Sequence, residues 1–137
     1  MNSKGFTLIE ILAVVVILAI IGAIFIPSAL NILSDSKIKI YGSKEKILVQ
    51  AAKDYVIAND DYVLPTEVSP TKYITINTLV TNNYMTKVLD NTSANECTGF
   101  VQITVNSTYG YDYDPCLLCE NYTTNKTFCN TSTYNSI

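Results

Sequence analysis

The 137-residue sequence contains no Arg, no His and no Trp. Its nine basic residues are all Lys, set against twelve acidic residues, for a formal net charge of -3. Surfaces that bind nucleic acid cluster Lys and Arg on a basic face, so direct nucleic-acid binding is not expected. The missing His removes the commonest general base and the commonest metal ligand. Neither catalysis nor a metal or other cofactor is expected. Charge is also missing locally, since residues 11–26 hold no charged and no strongly polar side chain. With Phe6-Thr7-Leu8-Ile9-Glu10 before them they form a 21-residue run. At about 1.5 Å per residue such a helix spans roughly 30 Å, the hydrocarbon thickness of a bilayer. It holds one carboxylate, Glu10. An acid in such a segment costs energy and marks a function that needs a partner.

Cysteine is absent from the first two thirds of the chain. Cys97, Cys116, Cys119 and Cys129 all lie near the C-terminus. An even number beyond a membrane segment points to disulfides and export. Four cysteines allow three pairings, and spacing does not choose among them. The Cys116-x-x-Cys119 spacing also fits a redox pair or half a zinc site. Zinc would need all four cysteines, and export favours disulfides. The lysines pull the other way. Lys4 alone precedes the apolar run, while Lys37, Lys39, Lys44 and Lys46 follow it. The positive-inside rule then places the C-terminal part in the cytoplasm. The cysteines outweigh that signal and place it outside.

A helical period continues past the run. Leu30, Leu33, Lys37, Ile40, Lys44, Ile47, Ala51, Tyr55 and Ala58 step by three or four, and Leu48, Ala52 and Val56 widen the stripe. The pattern predicts one helix with a buried face, ending near residues 59–61. Pro27 lacks an N–H and crowds the preceding turn, so a kink is expected there, with Gly22 a further weak point. Beyond residue 61 the texture is that of short strands. A strand is expected at 72–76 and a short helix at 78–82 capped by Asn77. An antiparallel hairpin follows, with Val101, Ile103 and Val105 on one face of its first strand and Tyr109, Tyr111 and Tyr113 on one face of its second. A last strand at 117–122 and an Asn/Thr-rich tail complete the reading. The fold class is α+β: a long N-terminal helix packed on a small antiparallel sheet. Its parts are 1–5, 6–30 (membrane), 31–60 (amphipathic) and 61–137 (a small domain that needs disulfides).

Lys4-Gly5-Phe6-Thr7-Leu8-Ile9-Glu10, followed by a long apolar helix, resembles the N-terminus of type IV pilins and of the pilin-like pseudopilins of type II secretion and competence systems. The resemblance implies a leader of residues 1–5, cut between Gly5 and Phe6 by a membrane prepilin peptidase, and N-methylation of Phe6. It makes Glu10 the assembly residue and Pro27 the bend of the helix. It also implies other copies of the chain, other pilins, an assembly ATPase and a membrane platform protein as partners. The chain is then a single-pass protein of the cytoplasmic membrane with its C-terminal domain extracellular, and a surface filament once assembled. A second resemblance, of Cys97-Thr98-Gly99-Phe100-Val101 and Leu118-Cys119-Glu120-Asn121-Tyr122 to pilin-like proteins of Gram-positive bacteria, implies pairing of Cys97 with Cys119 and leaves Cys116 with Cys129. Alternatives to a pilus subunit are a pseudopilin of a secretion or DNA-uptake machine and a membrane-tethered binding domain that never polymerises.

Overall fold

The computed structural model describes residues 5, 7–59, 61–108 and 110–137, and only the backbone of 25–31. It divides into two units, Met1–Lys39 and Ile40–Ile137. Helix α1, Leu8–Ala58, begins in the first and runs into the second. In the first unit the helical backbone runs unbroken through Gly22 and Pro27. The Pro27 side chain lies outside the described ones.

In the second unit, α1 is followed by β1 (Thr71–Thr75), α2 (Ile76–Thr81), β2 (Thr98–Asn106), β3 (Gly110–Leu118) and α3 (Thr131–Ser136). The sheet order is β1-β2-β3, and both pairs are antiparallel. Ile74 faces Val101, and Ile103 faces Tyr113. This is the expected α+β arrangement of a long helix and a small antiparallel sheet.

The helix meets the sheet through Leu48, Ala51 and Ala52 of the expected stripe, but Tyr41 takes the place expected of Ile40, and Ile47 stays out. Tyr41, Leu48, Ala51 and Ala52 are buried, whereas Ile40 and Ile47 remain 47% and 59% exposed. Two small alanines let the helix approach closely, and Tyr41 has partners that an isoleucine could not use. These residues join Ile74, Val101, Ile103, Leu117, Ile76, Leu79 and Val88 in the main core. Completely burying a side chain such as Leu48 or Leu79 contributes about 1.5–3 kcal/mol. The opposite face of the sheet carries a second cluster of Phe100, Cys116 and Cys129, flanked by Tyr73, Leu118, Phe128 and Tyr134. The tail folds over this face, and α3 starts where Asn130 accepts the Thr133 N–H at 2.8 Å.

Two local expectations are corrected, and one element is added. The short helix begins at Ile76, and its cap is Thr75, whose hydroxyl accepts the Thr78 N–H at 3.2 Å. The segment at 117–122 is not a separate strand. β3 runs on to Leu118, and a turn returns the chain to a single bridge at Thr123. The Asn/Thr-rich tail holds an element not expected there, α3. Along the hairpin, Val101 and Ile103 are buried while Val105 is exposed. Tyr113 is half-buried, Tyr111 is exposed, and Tyr109 lies outside the described residues.

A polar cluster seats the start of the docked helix. Asp90 is only 3% exposed. Its Oδ1 accepts from the Thr92 N–H (2.8 Å), the Thr92 hydroxyl (2.6 Å) and the Tyr41 hydroxyl (3.1 Å), and its Oδ2 from the Asn121 N–H (2.9 Å). The Thr92 hydrogen bonds, helped by Asn121 and Tyr41 and opposed by burial, hold this carboxyl well below the usual carboxylate range. The Tyr41 and Tyr122 rings stack at 4.2 Å, 2° from parallel. Tyr122 donates to Glu45 Oε1 at 2.9 Å. Burial, followed by that hydrogen bond, pushes the Tyr122 phenol from 10 up to about 12. Tyr62, mainly through burial, is likewise raised to about 12. A phenol whose folded value is raised stabilises the fold fully below its unfolded value and loses that contribution as pH climbs through the folded one. Thermal scans should therefore show the midpoint falling between pH 10 and about 12. Tyr122→Phe should lower the midpoint at pH 8 and make the alkaline fall shallower. It should not abolish that fall, because Tyr62 still titrates.

Candidate processing and assembly site

The sequence places the site at the head of α1. Gly5 is exposed, and a Cβ built on it meets nothing within 4 Å. Phe6 and Lys4 lie outside the described residues. Thr7 is the last residue before the helix, and its carbonyl accepts the Glu10 and Ile11 N–H groups at 3.0 and 3.2 Å. The Glu10 carboxylate turns back and accepts the Thr7 N–H through Oε2 at 3.4 Å. This is the side-chain half of a Thr-x-x-Glu capping box, in which the acid satisfies a donor the helix leaves unpaired. The positive end of the helix dipole favours a carboxylate there.

Thus Glu10 has a partner within its own chain, which reading it only as a costly membrane charge overlooked. The signal was present, since Thr-x-x-Glu before an apolar run is a helix-start signature. That partner is weak. The bond is long and the carboxylate stays exposed, beside Ile11, Val14 and Val15.

From Ile11 to Ile24 the helix is apolar on every side, and its large side chains there range from 65% exposed at Ile24 to 45% at Ile21. An uncovered apolar surface of this kind is taken up by lipid or by other protein chains. Among the described residues no helix is long and apolar enough to cross a membrane. Phe6 and the side chains of 25–31, part of or adjoining the 21-residue run, lie outside them.

The four cysteines form two disulfides. Cys97 is joined to Cys119 (Cα–Cα 4.4 Å) and Cys116 to Cys129 (5.1 Å). All four cysteines are paired, with no free thiol among them.

Residues 1–26 fit the family model of the prokaryotic N-terminal methylation motif. No curated protein and no solved structure matches the chain. The motif implies a membrane-inserted prepilin processed by a prepilin peptidase. The chain therefore carries, over residues 1–26, a prepilin-type methylation motif consistent with the type IV pilin and pseudopilin family, whose members are generally non-enzymatic.

Proposed function

We propose that the protein is a structural subunit of a type IV pilus or a related filament. It enters the cytoplasmic membrane as a precursor with residues 40–137 outside. The peptidase cuts between Gly5 and Phe6, and Phe6 is N-methylated. The helix then leaves the lipid and packs against other copies, driven by the assembly ATPase and the platform protein. The observation that carries this reading is the methylation motif on a helix whose described apolar side chains from Leu8 to Ile24 are exposed.

The chemistry is consistent. Gly5 presents no side chain, so catalytic carboxylates can close on the bond that follows it. Cleavage removes Lys4 and leaves a side-chain balance of 8 - 12 = -4. It also creates an amine at Phe6. In the low-dielectric interior of a filament, that cation on one copy attracts Glu10 on another far more strongly than in water. Pairing sets the axial register between copies.

Gly5→Leu tests this reading. The variant should keep residues 1–5, migrate as the precursor and yield no sheared filaments. Processing at the normal rate would contradict the assignment of the cut. A deletion that abolishes protein secretion or DNA uptake while no surface pili are seen in the wild type would assign the filament to the pseudopilin class.

A further inference from the structure

Three distant segments meet at the start of the docked helix. Tyr41, Lys44 and Glu45 come from α1. Lys44 donates to the Leu89 carbonyl and to Asn91 Oδ1. Asp90 binds Tyr41 and the Asn121 N–H. Tyr122 stacks on Tyr41, and Tyr122 and Thr124 both donate to Glu45 Oε1. The turn at 119–124 and the loop at 88–97 thus close on the helix from two sides. The Cys97–Cys119 disulfide joins those two sides directly. Each of its cysteines is also tied to the loop it holds. The Cys97 N–H bonds the Val88 carbonyl, and the Cys119 N–H bonds the Tyr122 carbonyl, both at 2.8 Å.

The two disulfides differ in access. Cys116 and Cys129 are both buried beneath the back cluster. Cys97, although it lines a cavity of about 190 Å³, is as buried as Cys129, and the difference lies at Cys119, which is half-buried where Cys116 is fully buried. Thiol–disulfide exchange needs an approach to sulfur and is fastest where access exists.

We propose that Cys97–Cys119 is a thiol-sensitive lock on this clasp, able to open while Cys116–Cys129 and the sheet stay intact. The reductant is an extracytoplasmic dithiol. One of its thiolates attacks the Cys119 sulfur, and Cys97 leaves as a thiolate. The second thiol attacks the mixed disulfide and releases Cys119. The dithiol departs as its own disulfide, having passed two electrons and two protons to the cysteines. The turn at 119–124 is then free to lift off Tyr41 and Glu45. The loop at 88–97, no longer joined to that turn, is then free to release Tyr41 and Lys44 as well. This proposal stands independently of whether the chain polymerises.

The test uses the full chain in detergent micelles, titrated with dithiothreitol. Free thiols are alkylated and assigned by mass spectrometry, and tryptic cleavage after Lys44 and Lys46 is timed in parallel. Cys97 and Cys119 should be alkylated at a dithiothreitol concentration at least roughly tenfold below that needed for Cys116 and Cys129, as their access dictates. Cleavage after Lys44 should quicken by about tenfold or more at the same point, because a released segment opens more often to protease. Tyr122→Ala, which keeps both disulfides, should give the same faster cleavage without reductant. Simultaneous opening of both disulfides, or prior opening of Cys116–Cys129, would overturn the proposal. So would unchanged cleavage once Cys97 and Cys119 are alkylated, or full protection of Lys44 in Tyr122→Ala.

Discussion

Glu10→Gln is expected to give a chain that is cut after Gly5 and remains in the membrane without entering filaments. The substitution separates two roles of the carboxylate. A glutamine carbonyl still accepts the Thr7 N–H, so the helix start survives. The charge does not. Capping and dipole effects at a helix end are each worth about 1 kcal/mol. Removing one partner from a buried ion pair costs about 3–5 kcal/mol, because the other charge stays buried and uncompensated. At 1.4 kcal/mol per factor of ten, that weakens each subunit contact by at least about a hundredfold. The proposed inter-copy pair would therefore outweigh the local bond where the two compete for Glu10. Immunoblots of membrane and sheared surface fractions provide the readout. Filaments at the wild-type level in Glu10→Gln would show that the charge is not used in assembly. If Glu10→Ala leaves localisation and every phenotype unchanged, the filament reading falls.

The largest loss of stability is expected from Gly99→Ala. Gly99 lies in β2 opposite Leu117, with φ at +157°. A Cβ placed there would stand 2.2 Å from the Cys116 carbonyl oxygen and 3.1 Å from the Ile76 Cδ1. The first is a backbone atom, and it has no room to retreat. Cys116 is fully buried and bonded to Cys129, itself buried. One methyl group therefore forces β2 and β3 apart at the point where both disulfides converge. Overpacking in a close-packed core costs about 1–3 kcal/mol, and a backbone clash with no escape costs more. Small domains have about 5–15 kcal/mol to lose. The variant should give little oxidised, folded chain and a much lower thermal midpoint. Gly110→Ala is the control. It has φ at +100° but open space around it, so only backbone strain of about 1–3 kcal/mol applies, with no clash. Equal midpoints for Gly99→Ala and the wild type would contradict this account of the hairpin.

The elements with long, strong patterns were legible in the sequence. The helix of α1, its end near residue 58 and the hairpin of β2 and β3 follow from periodicities of 3.6 and 2. What was not legible depended on distant partners. Hydropathy ranks Ile40 and Ile47 above Tyr41, yet Tyr41 is the buried residue. Its ring needs Tyr122 and its hydroxyl needs Asp90, 49 residues away in sequence. Asp90 itself stands in a stretch of Asn, Thr and Ser that reads as an ordinary polar loop, and nothing local marks it as the centre of a buried cluster. The cap of α2 was misplaced by two residues because Asn77 and Thr75 are both competent caps. α3 was missed because Thr-Ser-Thr-Tyr-Asn-Ser has poor helix propensity, and its position over Phe100 and Cys129 is a tertiary matter. At the processing site, the run and its acid were plain, while the Thr7 partner of Glu10 was overlooked for want of reading Thr-x-x-Glu as a cap. The lysine signal for orientation also changes meaning. Lys44 is held by Leu89 and Asn91 within the folded unit. It serves the fold there, which weakens it as a marker of the cytoplasmic side.

The central claim is that this chain is cut after Gly5, methylated and assembled through the helix that follows. Intact-mass and N-terminal peptide mass spectrometry of the protein recovered from its native cell envelope tests it most directly. The account predicts a mature chain that begins at Phe6 and carries one methyl group on its amine. A mature chain that begins near Leu30, beyond the apolar run, would contradict it.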